Sequence, residues 1–213
     1  MAVHVFWDNS NIWIGLQKLC EEIEKVPSTA LRVNLKALED FVVRDRSTGN
    51  KIIAGSYPPE CKDLISYAQT LGYDTTFLHR IDEGAKMREQ AVDMSLHCKM
   101  YETLLDSKKP EVMALLTGDS GIDPESKTGF ISIVERALNR NWTVEVYSVK
   151  GSLSIRKYQP LIDKYGSDLQ IEFLDDIYEQ ITFLVEGDFY FNDSPDNNIH
   201  VTARGTAPKS WRI

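Results

Sequence analysis

The chain alternates short apolar runs with amphipathic stretches from its first residues onward. Runs of β-branched, aromatic and aliphatic residues read as strands, and apolar positions recurring every three or four residues read as helix. The pattern predicts strand one at Val3–Trp7 and a helix near Asn11–Lys25 ended by Val26-Pro27. Asn34 is in position to N-cap a helix over Leu35–Val43. Strand two is Lys51–Ser56, stopped by Pro58-Pro59; Cys61–Leu71 is a helix closed by Gly72; strand three is Thr75–Leu78. A polar, irregular stretch at His79–Lys86 leads into a long helix, Glu89–Leu105, whose Met94, Cys98, Tyr101 and Leu105 share one face. Strand four, Val112–Leu116, is apolar throughout, as a strand covered on both faces should be. A polar loop from Gly118 to Gly129 follows, then helix Phe130–Asn139, strand five Thr143–Val149, helix Ile155–Tyr165, strand six Leu169–Phe173 and a last helix Asp175–Phe183.

This β-α repetition implies an α/β fold: a mostly parallel central sheet with helices on both faces, in three layers. Residues 1–183 read as one domain. The style changes in 184–213, where aromatics, Asn, Asp, Pro and Gly follow no helical period. That extension reads as a hairpin (Asp188–Asn192 with Ile199–Ala203) or as a loose tail.

The candidate chemistry lies where apolar runs end. Strand one stops on Asp8 and strand four runs through Thr117-Gly118 into Asp119, while Asp93 sits in the long helix. In an open α/β sheet, groups at the carboxyl ends of strands converge on one crevice. Carboxylates gathered there suit a hard divalent cation, Mg²⁺ or Mn²⁺, and such a cation beside a crevice suits phosphate chemistry. Each acid also has a plainer reading, since an Asp after a strand caps the next helix. Asn11 has the same two readings: an amide that orients a phosphate oxygen or carboxylate, or an N-cap. Asp93 and His97, at i and i+4, share a helix face. They are either two metal ligands or an acid beside a partly buried or surface histidine.

Several chemistries are disfavoured. There is no Gly-x-Ser-x-Gly, Walker A or Gly-x-Gly-x-x-Gly sequence. Gly118-Asp119-Ser120-Gly121 matches the surroundings of a chymotrypsin-like nucleophile, but it follows a buried strand in an α/β pattern, where that enzyme needs an all-β fold. The Asp-x-Asp pair of an aspartyl phosphatase is missing at Asp8-Asn9-Ser10. Four histidines without a His-x-x-x-His pair, and three cysteines (Cys20, Cys61, Cys98) without Cys-x-x-Cys, speak against zinc. The net charge of −8 argues against a general nucleic-acid coat protein, whose affinity comes from basic surface. It leaves room for a nuclease, whose bound metal offsets local charge. Scattered, odd-numbered thiols and an opening strand with no signal peptide before it point to the cytoplasm or nucleus. No apolar run is long enough to span a bilayer.

Taken together, the motifs resemble the NYN domain family, the PIN-like nuclease fold. Asp8-Asn9-Ser10-Asn11 is similar to that family's first motif, Gln90-Ala91-Val92-Asp93 to its second, and Leu115-Leu116-Thr117-Gly118-Asp119-Ser120 to its third. Ala54–Pro59 and Trp142–Tyr147 fall where such domains have their second and fifth strands, and Ser152-Leu153-Ser154 resembles a late Ser-containing element. The resemblance runs in order over about residues 3 to 182 and implies a Rossmannoid, PIN-like metal-dependent ribonuclease acting on single-stranded or structured RNA. It implies Asp8, Asp93 and Asp119 as metal-binding catalytic acids, Asn11 as an assistant at metal or phosphate, and Ser120 or Thr117 as a group steadying a carboxylate or water. One position departs. Many relatives carry another Asp two residues after the third-motif acid, where this chain has Gly121. Asp123 or Glu125 are candidates to replace it, and failing that the fold would serve as a non-catalytic RNA-binding or protein-scaffold module.

RNA must be held by cations and stacking groups. Arg80, Lys86 and Arg88, in the basic loop before Asp93, are the leading candidates, with Ser120 beside the third motif. Lys150, Arg156 and Lys157 form a second group, and Trp13 and Tyr57 are candidate stacking aromatics. The C-terminal segment is a candidate contact for a homodimer or protein partner.

Overall fold

The computed structural model describes residues 1–57, 62–79, 85–118, 129–191 and 197–205. A six-stranded parallel sheet lies at its centre. It is built from β1 (Val3–Asp8), β3 (Thr48–Tyr57), β4 (Asp74–His79), β5 (Val112–Leu116), β6 (Thr143–Ser148) and β7 (Leu169–Phe173). The spatial order is β4-β3-β1-β5-β6-β7. The chain winds outward from β1 in one direction through β3 and β4, then returns to β5 on the other side and winds away. This is the doubly wound arrangement, and its reversal point lies between β1 and β5.

Side-chain alternation divides the core between the two faces. Val3, Val5 and Trp7 of β1 pack on one face with α1 (Asn9–Ile23), α2 (Leu35–Val43) and residues of α3 (Lys62–Thr70). Phe6 packs on the other with Leu115 of β5, Val146 of β6, and the buried sides of α4 (Ala85–Asp106), α5 (Phe130–Leu138) and α6 (Ile155–Tyr165). The expected α/β sandwich is therefore present, with helices on both faces.

Local signals account for several boundaries. The Ala37 amide donates to Asn34 Oδ1 at 3.1 Å, so Asn34 is the N-cap of α2. Gly72 stops α3 in the left-handed region at φ 85°, with the Tyr73 amide reaching Ala68 O at 3.1 Å and the Gly72 amide reaching Gln69 O at 2.9 Å. That is the Schellman pattern, which needs a residue tolerant of positive φ. Asp8 caps α1, so the helix begins at Asn9, earlier than the pattern suggested.

Two expectations are corrected. The apolar face of α4 is not Met94-Cys98-Tyr101-Leu105: Met94 and Leu105 are 60% and 68% exposed, and Val92, Leu96, Met100 and Leu104 are buried instead. Two apolar stripes run along this helix, and the one lying over the sheet is covered. The last helix is only a 3-10 turn, Leu174–Ile177, followed by α7 (Tyr178–Ile181). Thr182–Leu184 leaves it as β8, pairing antiparallel with an unforeseen short strand, β2 (Leu31–Val33). Further on, β9 (Gly187–Tyr190) pairs antiparallel with β10 (Asn198–Val201), Tyr190 opposite Asn198. Val201 is buried in the same core cluster as α1 and α2, with Phe189 and Ile199 packed against it.

A buried ion pair fastens β6 to the segment leading into β3. Glu145, 3% exposed, accepts from both terminal nitrogens of Arg46 at 2.6 and 2.8 Å and from the Tyr147 hydroxyl at 2.7 Å. Arg46 also donates to the carbonyls of Val42 and Val43 at the end of α2. Burial alone would raise the Glu145 carboxyl, but the bonds from Arg46 and Tyr147 outweigh it and hold the pKa below the ordinary glutamate value. With the folded pKa depressed, the stabilisation is complete above the unfolded value of about 4.3 and is lost as pH falls through the folded one. We predict that Glu145→Gln costs about 2–3 kcal/mol in urea denaturation at pH 7, since it leaves Arg46 unneutralised with a quarter of its side chain exposed. The cost should shrink as the pH falls below about 4.

Candidate metal centre at the carboxyl end of the sheet

Asp8 is the last residue of β1, and 1% exposed. Three donors among the described residues hold its carboxylate. The Asn11 backbone amide donates to Oδ1 at 3.2 Å, the Asn11 side-chain amide donates to Oδ2, and the Thr117 hydroxyl donates to Oδ2 at 3.2 Å. A buried carboxylate is tolerated only when so compensated. Asp8 is thus the cap of α1 and at the same time a buried acid at the sheet's reversal point. Asn11 is not an N-cap. It is the third residue of α1, and its side chain turns back onto Asp8.

Thr117 follows β5 and is fully buried. Its amide donates to Tyr147 O at 3.1 Å, continuing the register in which Trp7 lies beside Leu116 and Leu116 beside Tyr147. Next comes Gly118, which packs closely against both neighbours. A Cβ there would lie 3.1 Å from Ser152 Cβ and 3.4 Å from Asn11 O. Gly15 of α1 receives Ser152 in the same way, a Cβ there meeting Ser152 Oγ at 3.0 Å. Glycine at these two positions lets α1, the end of β5 and the loop after β6 close on one another.

Asp93 lies on α4, partly buried, next to Val92, which packs under the sheet face that carries Asp8 and Thr117. His97 is partly buried, its ring set edge-on to Phe130 at 4.6 Å and 83°. Asp8, Asn11 and Thr117 are thus brought into one hydrogen-bonded group, and Asp93 lies on α4, whose buried side packs with Phe6 and Leu115. Among the described residues no three His, Cys, Asp or Glu side chains converge as a ready metal cluster. Asp119, Ser120, Gly121, Asp123, Glu125 and Arg80 lie outside the described residues, as do the side chains of Tyr57, Lys86 and Arg88. Trp13 packs against the core. Lys150 is engaged structurally, its Nζ 3.1 Å from Asp176 and its amide 2.8 Å from Asp175.

The sequence reading missed Ser148, the last residue of β6, which is fully buried with no hydrogen-bond partner for its hydroxyl among the described residues. A signal was present: Val144 and Val146 point to the core, and the next position in that alternation is a serine. A cleft of about 350 Å³ lined by Gly49, Asn50, Asp74, Lys99 and Glu102 opens at the opposite, amino end of β3, away from this group.

The groups gathered at the reversal point are the Asp8 carboxylate, the Asn11 side-chain amide, whose nitrogen is turned onto Asp8, and the Thr117 hydroxyl, with no thiol or imidazole in the bonded group. This set fits a hard divalent cation and not zinc or copper. Fold and site together define a doubly wound α/β domain with a buried, hydrogen-bonded carboxylate at its switch point. The sequence model of the NYN domain matches residues 2–163, and the chain belongs to that family. Its fold is nuclease-like, and NYN domains are generally ribonucleases that use divalent metals. A solved structure of a protein of unknown function from Vibrio parahaemolyticus RIMD 2210633 is similar, with a TM-score of 0.51 at 17% identity over 85% of this chain and 94% of that one. No curated protein matches the chain. No described helix is long and apolar enough to cross a membrane.

Capping and catalysis can be separated at Asp8. We predict that Asp8→Ala destabilises the protein by about 1 kcal/mol in urea, through loss of the α1 cap, whereas Asp8→Asn, which can still cap, costs only a few tenths. Equal stability of the two variants would show that the cap contributes nothing.

Proposed function

We propose that this protein is a metal-dependent endoribonuclease, hydrolysing RNA phosphodiester bonds with a water activated at the crevice between β1 and β5. The observation that carries the reading is Asp8: a buried, oriented carboxylate at the switch point of a NYN-family sheet. Asp8, Asp93, Asp119 and Asp123 are the residues assigned to hold Mg²⁺ or Mn²⁺. When bound, such an ion lowers the pKa of a water and neutralises charge developing on phosphate oxygens. The chain's own contribution is positional. Asn11 and Thr117 fix the Asp8 carboxylate before substrate arrives, so no reorganisation is needed during reaction. Arg80, Lys86, Arg88 and Ser120 are assigned to grip RNA, single-stranded or structured. Residues 1–183 form the nuclease domain in this reading and 184–213 an extension to it, with the cytoplasm or nucleus as the compartment. Gly121 is the feature that favours the other reading, a non-catalytic RNA-binding or scaffold module.

The test is cleavage of labelled single-stranded and hairpin RNA with Mn²⁺, Mg²⁺ or EDTA. Expected is metal-dependent cutting that falls more than about a hundredfold in Asp8→Asn and in Asp119→Asn. At saturating Mn²⁺ the wild type should also gain about 2–3 kcal/mol of stability, which both variants lose. Full activity in both variants would sink the assignment, and RNA binding without turnover at any metal concentration would select the module reading.

A further inference from the structure

Three strands present a polar residue at the same level on the same face of the sheet. The alternation runs from Phe6 to Asp8 on β1, from Leu115 on β5 to Thr117 just past it, and from Val146 to Ser148 on β6. One step below, Phe6, Leu115 and Val146 are all fully buried members of a single core cluster. The boundary between apolar core and polar site is therefore one register step thick, and Ser148 stands on the polar side with Asp8 and Thr117. Neighbouring strands lie about 4.8 Å apart, so Thr117 is the middle member of the row and Ser148 its outer one.

The three members differ in how they are satisfied. Asp8 and Thr117 are bonded to each other. Ser148 is as deeply buried, yet its hydroxyl has no hydrogen-bond partner among the described residues. A buried hydroxyl without a partner destabilises the fold that carries it, and alanine would fill the same space without that penalty. A serine here is explained when the hydroxyl's partner is something the site binds.

Resting on the ribonuclease reading, we propose that Ser148 is a positioning residue of the metal centre, its hydroxyl holding a water of the hydration shell of the divalent cation assigned to Asp8. Hard cations such as Mg²⁺ keep several of their waters when protein-bound, so the outer wall of their site needs hydrogen-bonding groups as well as ligands. Ser148 supplies that wall on the β6 side, opposite the Asn11 contact on the α1 side. No bond is made or broken at its oxygen.

The test compares wild type, Ser148→Ala, Ser148→Thr and Asp8→Asn by Mn²⁺ titration, by melting in EDTA and by cleavage kinetics. Expected for Ser148→Ala is an EDTA melting temperature at or above that of wild type, Mn²⁺ affinity weakened about tenfold, and a kcat reduced in proportion with KM for RNA unchanged. Ser148→Thr, which keeps a hydroxyl, should recover most of the affinity. Equal Mn²⁺ affinity and kcat in Ser148→Ala and wild type would overturn the proposal. A lower EDTA melting temperature for Ser148→Ala would also overturn it, by showing that the hydroxyl serves the fold. A wild type that neither binds Mn²⁺ nor cleaves would instead remove the ribonuclease reading, and this inference with it.

Discussion

The register of β1 is the constraint on which the site depends. Val3, Val5 and Trp7 face the α1–α2 side, and Phe6 and Asp8 face the α4–α5 side. Adding or removing one residue in this strand would send Asp8 to the opposite face, away from Thr117. The register is fixed because both faces are buried and because β1 pairs on both edges, Trp7 lying beside Ile53 on one side and Leu116 on the other. Apolar packing along the strand thus determines where its terminal charge appears, and the N-cap of α1 then fixes how that charge is oriented.

The supporting contacts lie at a distance from the crevice and act through the same helix. The beginning of α1 carries Asn11 to Asp8, and its end is held by Glu24. Arg204 donates to Glu24 through Nε at 3.0 Å and a terminal nitrogen at 2.7 Å, and Tyr178 donates to the same carboxylate at 2.7 Å. Arg204 also reaches the Thr182 carbonyl at 3.1 Å. The segment after β8 is therefore tied to the far end of the helix that supports the site, and Cys20, buried beside Tyr178, has its thiol pushed up by burial and is poorly suited to reaction. Anything that loosens residues 182–205 removes a restraint on α1, and through α1 on Asn11.

Much of this architecture is legible in the amino-acid sequence. Val112–Leu116, Leu169–Phe173, Ile155–Tyr165 and the Asn34 cap stand where periodicity and capping chemistry put them, because each is determined by its own residues and by burial on a known side. The elements that escape such a reading share a cause. β2 and β8 are three residues each and are defined by their pairing with each other, which no local pattern announces. Along α4 two apolar stripes compete, and the choice between them is made by the sheet beneath. At the site, Asp8 is legible both as a cap and as a candidate ligand. A capping carboxylate can be buried at the switch point, so the plain reading does not count against the functional one. Ser148 escapes notice because a lone serine ending an apolar strand looks like a strand end until its neighbours on β1 and β5 are known.

The basic side chains bear on how an acidic chain would engage RNA. Many are already committed within the fold: Arg46 to Glu145, Arg44 to Glu172, Lys51 to Glu39, Lys150 to Asp176 and Arg204 to Glu24. These pairs fasten elements together, and a net charge of −8 gives the chain no overall positive field to attract a polyanion at long range. On the ribonuclease reading, affinity must then arise locally, from groups at the crevice and from the cation held there. Such a protein would not coat RNA and cut wherever it lands. It would stay weakly attached until a phosphate entered the crevice, where metal charge, the oriented Asp8 carboxylate and the polar row at the strand ends act together. The acidity of the chain is consistent with that behaviour, because it suppresses non-specific binding while, on this reading, a bound cation would supply the positive charge.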